Sequence, residues 1–340
     1  MIEACTILVN ELYKSNIIHG IVSMGGSGGT SLAATVMRTA ALPFGFPKLV
    51  VSTVASGDTS KFIGESDIMM IPSVVDVAGL NSLLRIVIEN AAAAIKAMAK
   101  ENFERTMRFQ GSSNLKRKLR IAITMFGVTT PGVTTAMEYL NSLGHEVFVF
   151  HATGTGGRAM ERLILEGQVD GVLDLTTTEL ADELVGGIMS AGPDRLTAAA
   201  KKDIPQIVSL GALDMVNFGA RSSVPEKFNG RHLVEHNPSI TLMRTTPEEC
   251  RKLGQVLSHR LKENCMCTAK VEVWSPCKGV SIMAEKGGKF YDEEADSALI
   301  GALTKGLNGS GIKLERKDMT INDPEFAIGM AKRLLEMMAA

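Results

Sequence analysis

An apolar stretch that runs directly into a glycine-rich segment is the feature that most limits how this chain can fold. Residues 20–24 have the composition of a buried strand, and residues 32–38 are good helix formers. The pattern predicts a strand, a tight loop and a helix, whose backbone N–H groups converge on a volume that favours an anion. The loop residues between strand and helix are Gly25, Gly26, Ser27, Gly28, Gly29, Thr30 and Ser31.

This segment has the chemistry of a phosphate-binding loop. Glycines let the main chain approach a ligand with no Cβ in the way, and the hydroxyls of Ser27, Thr30 and Ser31 can hydrogen-bond phosphate oxygens. The loop has no Lys at its end, so it is not a Walker P-loop, and its spacing does not match the dinucleotide fingerprint. Because a tight turn alone also selects glycine, a purely structural role remains the alternative.

The composition is that of a globular protein large enough for two domains. The chain has 340 residues, 45% of them apolar, and a formal net charge of −1, and this length favours more than one domain. One Trp and three Tyr are too few for a base-stacking surface. Because Lys and Arg are also spread along the sequence, no nucleic-acid partner is expected.

The sequence also predicts a cytoplasmic protein without a membrane segment. No apolar run reaches the roughly 18–20 residues that a membrane span requires, and the first residues lack the pattern of a secretory signal. Five cysteines without the spacing of a disulfide framework fit a reducing compartment. The Cys-Met-Cys segment at 265–267 is too short for the usual zinc site, so no metal is expected there.

Strands and helices alternate along the chain, which predicts βαβ units and parallel sheets. In the first part, strands are predicted at 17–24, 48–53 and 67–71, between a helix over 2–16 and a long helix over about 81–99. Residues 102–118 lose the apolar period and gather Lys, Arg, Gly and Ser, as linkers do. We expect a Rossmann-like domain over 1–101, a linker over 102–118 and a second Rossmann-like domain over 119–340.

The second half has the pattern of a complete doubly wound domain. Strands are predicted at 119–125, 146–150, 172–175, 207–209 and 240–243, and a strand–helix pair within 312–337. Residues 154–159 match the dinucleotide fingerprint with Ala at its third position. The match is weak, because it follows the second strand of its domain and because Asp170 and Asp174, the candidate ribose-binding acids, can occur there by chance.

Six longer motifs resemble the Tm-1-like ATP-binding family, also called UPF0261, which is named after a plant protein that confers resistance to a tobamovirus. The resemblance covers essentially the whole chain. The motifs are MGGSGGTS at 24–31, VSTVASG at 51–57, PSVVD at 72–76, MFGVTTP at 125–131, FHATG at 150–154 and GALDMVNFG at 211–219.

The resemblance implies an α/β fold of two Rossmann-like, doubly wound domains, ATP and Mg²⁺ bound at the glycine loop, and a homodimer. Family members usually carry an opening strand and a Gly-Thr-x-Asp-Thr-Lys-type segment ahead of the region where this chain begins. We therefore expect a first domain that is truncated at its amino terminus and lacks a Lys to offset phosphate charge. The plant members also have a further barrel domain, whose activity is not carried over to this chain.

Residues after the second and third strands are further candidates for the nucleotide site, because ligands bind at the carboxyl edge of an open α/β sheet. Ser56 and Gly57 are candidates for nucleotide contacts. Asp58 is a candidate for holding Mg²⁺ through a water, with an Asx-turn as the alternative. Asp76 is a candidate for a ribose contact, with capping of the helix that starts near Asn81 as the alternative.

The second domain offers two candidate catalytic residues beside its glycine loop. His151 ends a strand, and its ordinary pKa near neutrality suits proton transfer. Arg158 can clamp a carboxylate or phosphate. Further polar residues fall after other strands and can complete a pocket between the domains, with hydrogen bonding in turns as the alternative for each. These residues are Asp214, Asn217, His236, Asn237 and Arg244.

Three functions fit the sequence. The favoured one is an ATP-binding protein that holds the nucleotide phosphates at the GGSGGTS loop. The second is a small-molecule enzyme of ligase or phosphotransferase type, with its site in the cleft between the domains. The third is an interaction protein in which the nucleotide organises a surface for a protein partner. Because one fold hosts many chemistries, the fold does not choose among them.

Overall fold

The chain divides into two compact units, Met1–Lys116 and Arg117–Ala340. The computed structural model describes residues 1–110 and 118–340. Both units are α/β and contain a parallel sheet, of three strands in the first unit and six in the second. The expected fold class of two Rossmann-like units is confirmed. Among the described residues, no helix is long and apolar enough to cross a membrane.

The first unit is built around strand β2, which has apolar residues on both faces. Val50 packs with Ala34 and Met37 on one face, while Leu49 and Val51 pack with other residues on the opposite face. Because both faces are covered, the strand reads as a continuous apolar run. The strand order is β1-β2-β3. The elements are α1 (Ile2–Lys14), β1 (Ile21–Gly25), α2 (Ser27–Thr39), β2 (Lys48–Ser52), α3 (Ser60–Ile63), β3 (Met69–Pro72) and α4 (Ser82–Gln110).

Helix α4 is longer than the sequence predicted. It runs on to Gln110, so residues 102–110 are helical where the linker was expected to begin. Lys100 and Glu104 form an ion pair one turn apart on its exposed side. The segment is rich in good helix formers and has no Gly or Pro before Gly111, so it stays helical without an apolar face. The rest of the predicted linker, 111–117, lies outside the described residues.

The second unit begins with a regular alternation of strands and helices and later acquires three extra strands. Its helices and strands are β4 (Arg120–Met125), α5 (Thr130–Ser142), β5 (Glu146–His151), α6 (Thr155–Leu165), β6 (Gly171–Thr176), α7 (Glu179–Val185), α8 (Ala198–Lys201), β7 (Gln206–Gly211), β8 (Met215–Phe218), β9 (Leu233–Asn237), β10 (Ile240–Arg244), α9 (Pro247–Asn264), β11 (Val271–Pro276), α10 (Glu293–Leu307), β12 (Lys313–Lys317) and α11 (Pro324–Ala339).

The main sheet of the second unit has the order β5-β4-β6-β7-β11-β12, and every neighbouring pair is parallel. Strand β5 is added on one side of β4, and the following strand β6 is added on the other side. The point between β4 and β6 is therefore a topological switch point, where open sheets bind ligands. Helices α5 and α11 supply apolar side chains to a core on one face, and α9 and α10 do so on the other. This is the doubly wound arrangement that the sequence predicts.

The strand predicted at 240–243 is present as β10 but does not belong to the main sheet. It lies in an antiparallel sheet of order β8-β10-β9. Only Pro238 and Ser239 separate β9 from β10, and a connection this short joins antiparallel strands, since a parallel crossover needs a dozen residues or more. Asn237 Oδ1 accepts the Ser239 N–H at 2.9 Å, so this side chain serves the turn.

Candidate functional site

The first glycine segment is a strand-to-helix junction with almost no loop. Strand β1 ends at Gly25, Gly26 caps α2, and the helix begins at Ser27. Gly28 and Gly29 therefore belong to the first helical turn rather than to a loop, which corrects the boundary expected from the sequence. Their backbone angles are those that other residues also adopt, so conformation alone does not require glycine here.

Packing explains only part of this glycine content. A Cβ on Gly25 would lie 3.2 Å from the Gly29 Cα, so β1 and α2 approach closely at that point. A Cβ on Gly28 would meet no atom of the described residues within 4 Å, and one on Gly29 would meet only the Met24 carbonyl oxygen, at 3.9 Å. Glycine in a helix costs roughly 0.5–1 kcal/mol relative to Ala. No contact with the described residues offsets the loss of helix stability at Gly28. Binding of a ligand at this position would explain why glycine occurs there.

The first turn of α2 presents backbone donors to open space. Thr30 N–H bonds the Gly26 carbonyl at 2.8 Å, but no acceptor among the described residues takes the N–H groups of Ser27, Gly28 or Gly29. These donors lie at the positive end of a 13-residue helix, where an anion is stabilised.

The three hydroxyls of this segment differ in their surroundings. Ser27 and Ser31 are exposed. The Thr30 hydroxyl is fully buried and lies 2.6 Å from Ser52 Oγ. It therefore ties α2 to β2, whereas the two serines remain available to a ligand.

The ends of the three strands of the first unit meet beside this turn. The Thr53 N–H bonds the Gly25 carbonyl at 3.3 Å, and the Ser73 N–H bonds the Ser52 carbonyl at 3.0 Å. Ser56 and Gly57 are exposed in the turn that follows β2. Ser56 and Gly57, which were predicted to contact the nucleotide, thus lie on a loop at the carboxyl edge of the sheet.

Asp58 forms the Asx-turn that was its alternative role. Its Oδ1 accepts the Ser60 N–H at 2.9 Å, and hydrogen bonding from Ser60 lowers the pKa of this exposed carboxyl. Within the described ranges, no group of three or more His, Cys, Asp and Glu side chains could hold a metal ion. A magnesium ion here would therefore draw most of its ligands from phosphate and water, as Mg²⁺ commonly does.

Asp76 does not cap helix α4, so that alternative is wrong. Its Oδ1 accepts the N–H of the adjacent Val77 at 2.7 Å, and the side chain is exposed. Asn81 is the cap, because its Oδ1 accepts the Leu84 N–H at 2.9 Å. A capping side chain reaches the N–H two or three residues ahead, and Asp76 lies too far before Ser82 to do so.

The second glycine segment is filled by a carboxylate of the protein itself. Glu179 Oε1 accepts the N–H groups of Gly154 at 2.7 Å and Gly157 at 3.0 Å, and Glu179 is fully buried. A Cβ on Gly157 would come 2.1 Å from Glu179 Oε2, and one on Gly156 would come 1.9 Å from the His151 carbonyl oxygen. The glycines of this segment are therefore explained by internal packing.

Glu179 is held by a buried arginine that also binds the predicted ribose acid. Arg195 Nε donates to Glu179 Oε2 at 2.6 Å, and its two terminal nitrogens each donate to Asp174 at 2.6 Å. Glu161 joins the cluster 3.3 Å from Arg195, and burial raises the pKa of this third carboxyl. Asp174 is 1% exposed and thus has no access to a ribose. Asp170 pairs instead with Arg120.

The two candidate catalytic residues flank this closed loop. His151 is exposed at the end of β5, with its ring centroid 5.6 Å from that of Phe126. Arg158 is half-buried on α6, and its Nη1 donates to the Ser190 carbonyl at 3.0 Å. Both remain candidates, placed at the carboxyl edge of the main sheet.

The other polar candidates of the second unit do not form an open pocket. Asp214, Asn217 and Arg244 are all buried. Asp214 accepts the Ser281 hydroxyl at 2.8 Å, and burial raises the pKa of Asp214 to about 6. Arg244 pairs with Asp296 at 2.6 Å. These three side chains therefore make contacts in the interior of the unit and do not line a cleft. His236 and Asn237 are exposed on β9.

Asn217 has an acidic partner that the sequence did not reveal. Asp182 Oδ2 accepts the Asn217 Nδ2–H at 2.7 Å, and Oδ1 accepts the N–H groups of Asn217 and Met189. Burial raises the pKa of Asp182 to about 7. Neither Asp182 nor Arg195 lies in a motif with a known chemical role, so only the tertiary structure identifies these clusters.

Comparison with family models matches both units of the chain. The N-terminal domain of the uncharacterised protein family UPF0261 matches residues 1–104, and the C-terminal domain of the same family matches residues 118–338. The chain belongs to the UPF0261 family. The resemblance inferred from the six motifs is thereby confirmed.

Curated relatives support the same assignment. A UPF0261 protein of Clostridium tetani is 49% identical over 338 residues, which cover 99% of this chain and 80% of the relative. A UPF0261 protein of Rhizobium meliloti is 48% identical over 91% of this chain and 74% of its own length. The ToMV resistance protein Tm-1(GCR237) of Solanum lycopersicum is 43% identical over 94% of this chain, but the match spans only 42% of the tomato protein.

Proposed function

We propose that this UPF0261 protein binds ATP, with the triphosphate at the amino terminus of α2 in the first unit. The observation that carries the proposal is the open space at Gly28, where a Cβ would meet no described atom outside its own helix backbone within 4 Å. The N–H groups of Ser27, Gly28 and Gly29, which no acceptor among the described residues takes, supply the donors that a phosphate needs.

The second glycine segment supports this choice by contrast. Its N–H groups are already bonded to Glu179, and its glycines are in contact with other atoms of the protein. Of the two glycine-rich junctions, one is therefore closed by an internal anion and the other is open. Of these two, the open junction is the one that offers an external phosphate both donors and space.

In the proposed site, the residues of the first unit have distinct roles. The first turn of α2 and the hydroxyls of Ser27 and Ser31 bind phosphate oxygens. Ser56 and Gly57 contact the nucleotide from the loop after β2, and Asp76 contacts the ribose. The GGSGGTS segment contains no Lys and so supplies no positive charge to offset the phosphates. Magnesium supplies that charge. Asp58 orients a water of that ion.

The proposal is tested by isothermal titration with ATP, ADP and AMP, each with and without Mg²⁺. Because the phosphates are the bound group, affinity is expected to fall from ATP to ADP to AMP and to depend on Mg²⁺. Gly28→Asp places a negative charge where the phosphate binds and is expected to abolish binding. Gly127→Asp is the matched control, since Gly127 is an exposed glycine of the second unit with no atom within 4 Å of a Cβ.

Equal affinities for ATP and AMP would contradict a phosphate-centred site. Unchanged ATP binding by the Gly28→Asp protein would place the nucleotide elsewhere.

A further inference from the structure

The second unit contains a cavity of about 640 Å³ at the carboxyl ends of β11 and β12. Helix α10 contributes Glu293, Asp296 and Ile300 to its lining. Ligand sites for small molecules commonly have volumes of roughly 300–1,000 Å³, and the carboxyl edge of a parallel sheet is where such sites lie. The volume is therefore that of a ligand site, and the cavity lies at the carboxyl edge of the sheet, away from the switch point between β4 and β6.

The wall formed by the strand ends is cationic. Arg316 on β12 and Lys278 after β11 line it, and Lys286 comes from the following loop. Lys278 pairs with Asp318 at 2.8 Å. Within the described part of the chain, neither Arg316 nor Lys286 has an ion-pair partner. The lining therefore contains two cations for which the described residues supply no ion-pair partner, together with the carboxylate of Glu285 beside Lys286.

The wall formed by α10 is acidic. Glu293 is exposed, and Asp296 is fixed by the buried Arg244, whose Nη2 donates to Asp296 Oδ1 at 2.6 Å. Acidic residues are usual in the first turn of a helix, so their presence alone indicates no site. Here they line the same cavity as Arg316, and Ile300 and Ala284 supply apolar lining.

A buried serine on β11 lies beside Arg316 and shows which face of the sheet Arg316 occupies. Ser275 is fully buried, and its Oγ has no hydrogen-bond partner among the described residues. It is the register partner of Arg316 on the neighbouring strand, so the two side chains share a face of the sheet. Val273 and Leu314 of the same face pack in the core that includes α10, so this face looks towards α10. The Arg316 side chain therefore lies on the face of the sheet that is packed against α10, whereas Ser275 itself does not line the cavity.

We propose that this cavity binds a small zwitterion of the amino acid or short-peptide class. The ligand carboxylate pairs with Arg316, its ammonium group meets Glu293 and Asp296, and its carbon skeleton lies over Ile300 and Ala284. A ligand that carries only negative charge is repelled by the α10 wall, and one that carries only positive charge is repelled by Arg316. The site belongs to the second unit alone and does not depend on nucleotide binding by the first.

Cys277 makes the test specific to this cavity, because it is an exposed thiol in the lining. Its alkylation by iodoacetamide is followed by peptide mass spectrometry, with Cys5 as the internal reference. The probes are ω-amino acids from glycine to 6-aminohexanoate and the dipeptide Gly-Leu, at concentrations up to tens of millimolar. Hexanoate and hexylamine are the single-charge controls.

At least one zwitterion is expected to slow the labelling of Cys277 and not that of Cys5. The single-charge controls are expected to bind about tenfold more weakly, as befits the loss of one charge-assisted hydrogen bond. Arg316→Gln and Glu293→Gln are expected to abolish protection, and Lys313→Gln, on the opposite face of β12, to retain it. ATP affinity is expected to be unchanged in all three variants.

The proposal is overturned if no probe protects Cys277, or if hexanoate protects as well as 6-aminohexanoate. It is equally overturned if the Arg316→Gln protein keeps the protection. None of these outcomes bears on the nucleotide site, which is measured separately by ATP titration.

Discussion

Gly157 and Glu179 lie so close together that a methyl group between them has no room. The Gly157 N–H donates to Glu179 Oε1 at 3.0 Å, and a Cβ on Gly157 would come 2.1 Å from Oε2. The contact joins the start of α6 to the start of α7 across the carboxyl edge of the main sheet. It gives the second glycine segment a structural role, and it distinguishes that segment from the open one at Gly28.

Replacing Gly157 with Ala is expected to destabilise the protein, since the buried Glu179 cannot move away without leaving Arg195. Overpacking of this kind costs about 1–3 kcal/mol, and urea unfolding measures it. Gly127→Ala, where a Cβ meets no atom within 4 Å, is the control and is expected to change the free energy of unfolding by less than about 0.5 kcal/mol. Equal stabilities of the two variants would show that the Gly157 contact is not tight.

Removing the charge of Glu179 is expected to cost more than removing that of a partly exposed glutamate. Glu179→Gln leaves the fully buried Arg195 with one anionic partner fewer, and breaking a buried pair costs about 3–5 kcal/mol. Glu183→Gln removes the partner of Arg260, a pair whose side chains are 26% and 14% exposed, and is expected to cost about 1 kcal/mol or less. Similar losses for the two variants in urea unfolding would contradict this account of the cluster.

The buried carboxyl of Asp182 is expected to make stability depend on pH. Burial raises its pKa from 3.8 to about 7, so the folded protein holds this proton more tightly than the unfolded chain does. The stabilisation is fully present below about pH 4 and is lost as the pH rises through about 7. Asp214, with its pKa raised to about 6, acts in the same direction.

Asp182→Asn removes this titration while the Asn217 amide can turn to pair with the new side chain. Relative to the wild type, the variant is expected to gain about 2–4 kcal/mol in free energy of unfolding between about pH 4 and about pH 8. Chemical denaturation at a series of pH values measures that difference. A difference that does not change with pH would mean that Asp182 is ionised in the fold throughout this range.

Two substitutions in the segment before α4 are expected to have different effects, one on stability and the other on nucleotide binding. Asn81→Ala removes the cap of α4 and is expected to cost about 1 kcal/mol, with ATP binding unchanged. Asp76→Ala is expected to leave the free energy of unfolding within about 0.5 kcal/mol and to weaken ATP binding. The reverse pattern in urea unfolding and titration would contradict the proposed ribose contact of Asp76.

Local pattern was sufficient to predict the position of the first glycine junction and every parallel strand except β11, which was missed. It misplaced the start of α2, because two glycines in a first helical turn look like loop residues when their conformation is unknown. The end of α4 was missed for a related reason, since its last turns mix polar, charged and apolar residues and show no clear apolar period.

The clusters of the second unit depend on contacts that sequence alone does not contain. Glu179 lies 22 residues after Gly157, and it reaches the α6 junction only because β6 lies beside β4 in the sheet. Nothing near Arg195 in the sequence indicates that three carboxylates surround it. The antiparallel partner of β10 was likewise set by the two-residue turn before it, not by the apolar pattern of the strand.

The most direct test of the central claim is a paired measurement of folding stability and ATP affinity on the Gly28→Ala protein. Among the described residues, a Cβ at Gly28 meets no atom outside its own helix backbone within 4 Å. Because Ala also favours a helix over Gly, the variant is expected to be more stable by up to about 1 kcal/mol. Its ATP affinity is expected to fall by about tenfold or more, since the methyl group stands where the phosphate approaches and disrupts its hydrogen bonds to the helix. A protein that is stabilised yet binds ATP as well as the wild type would contradict the claim that the phosphates lie at this turn.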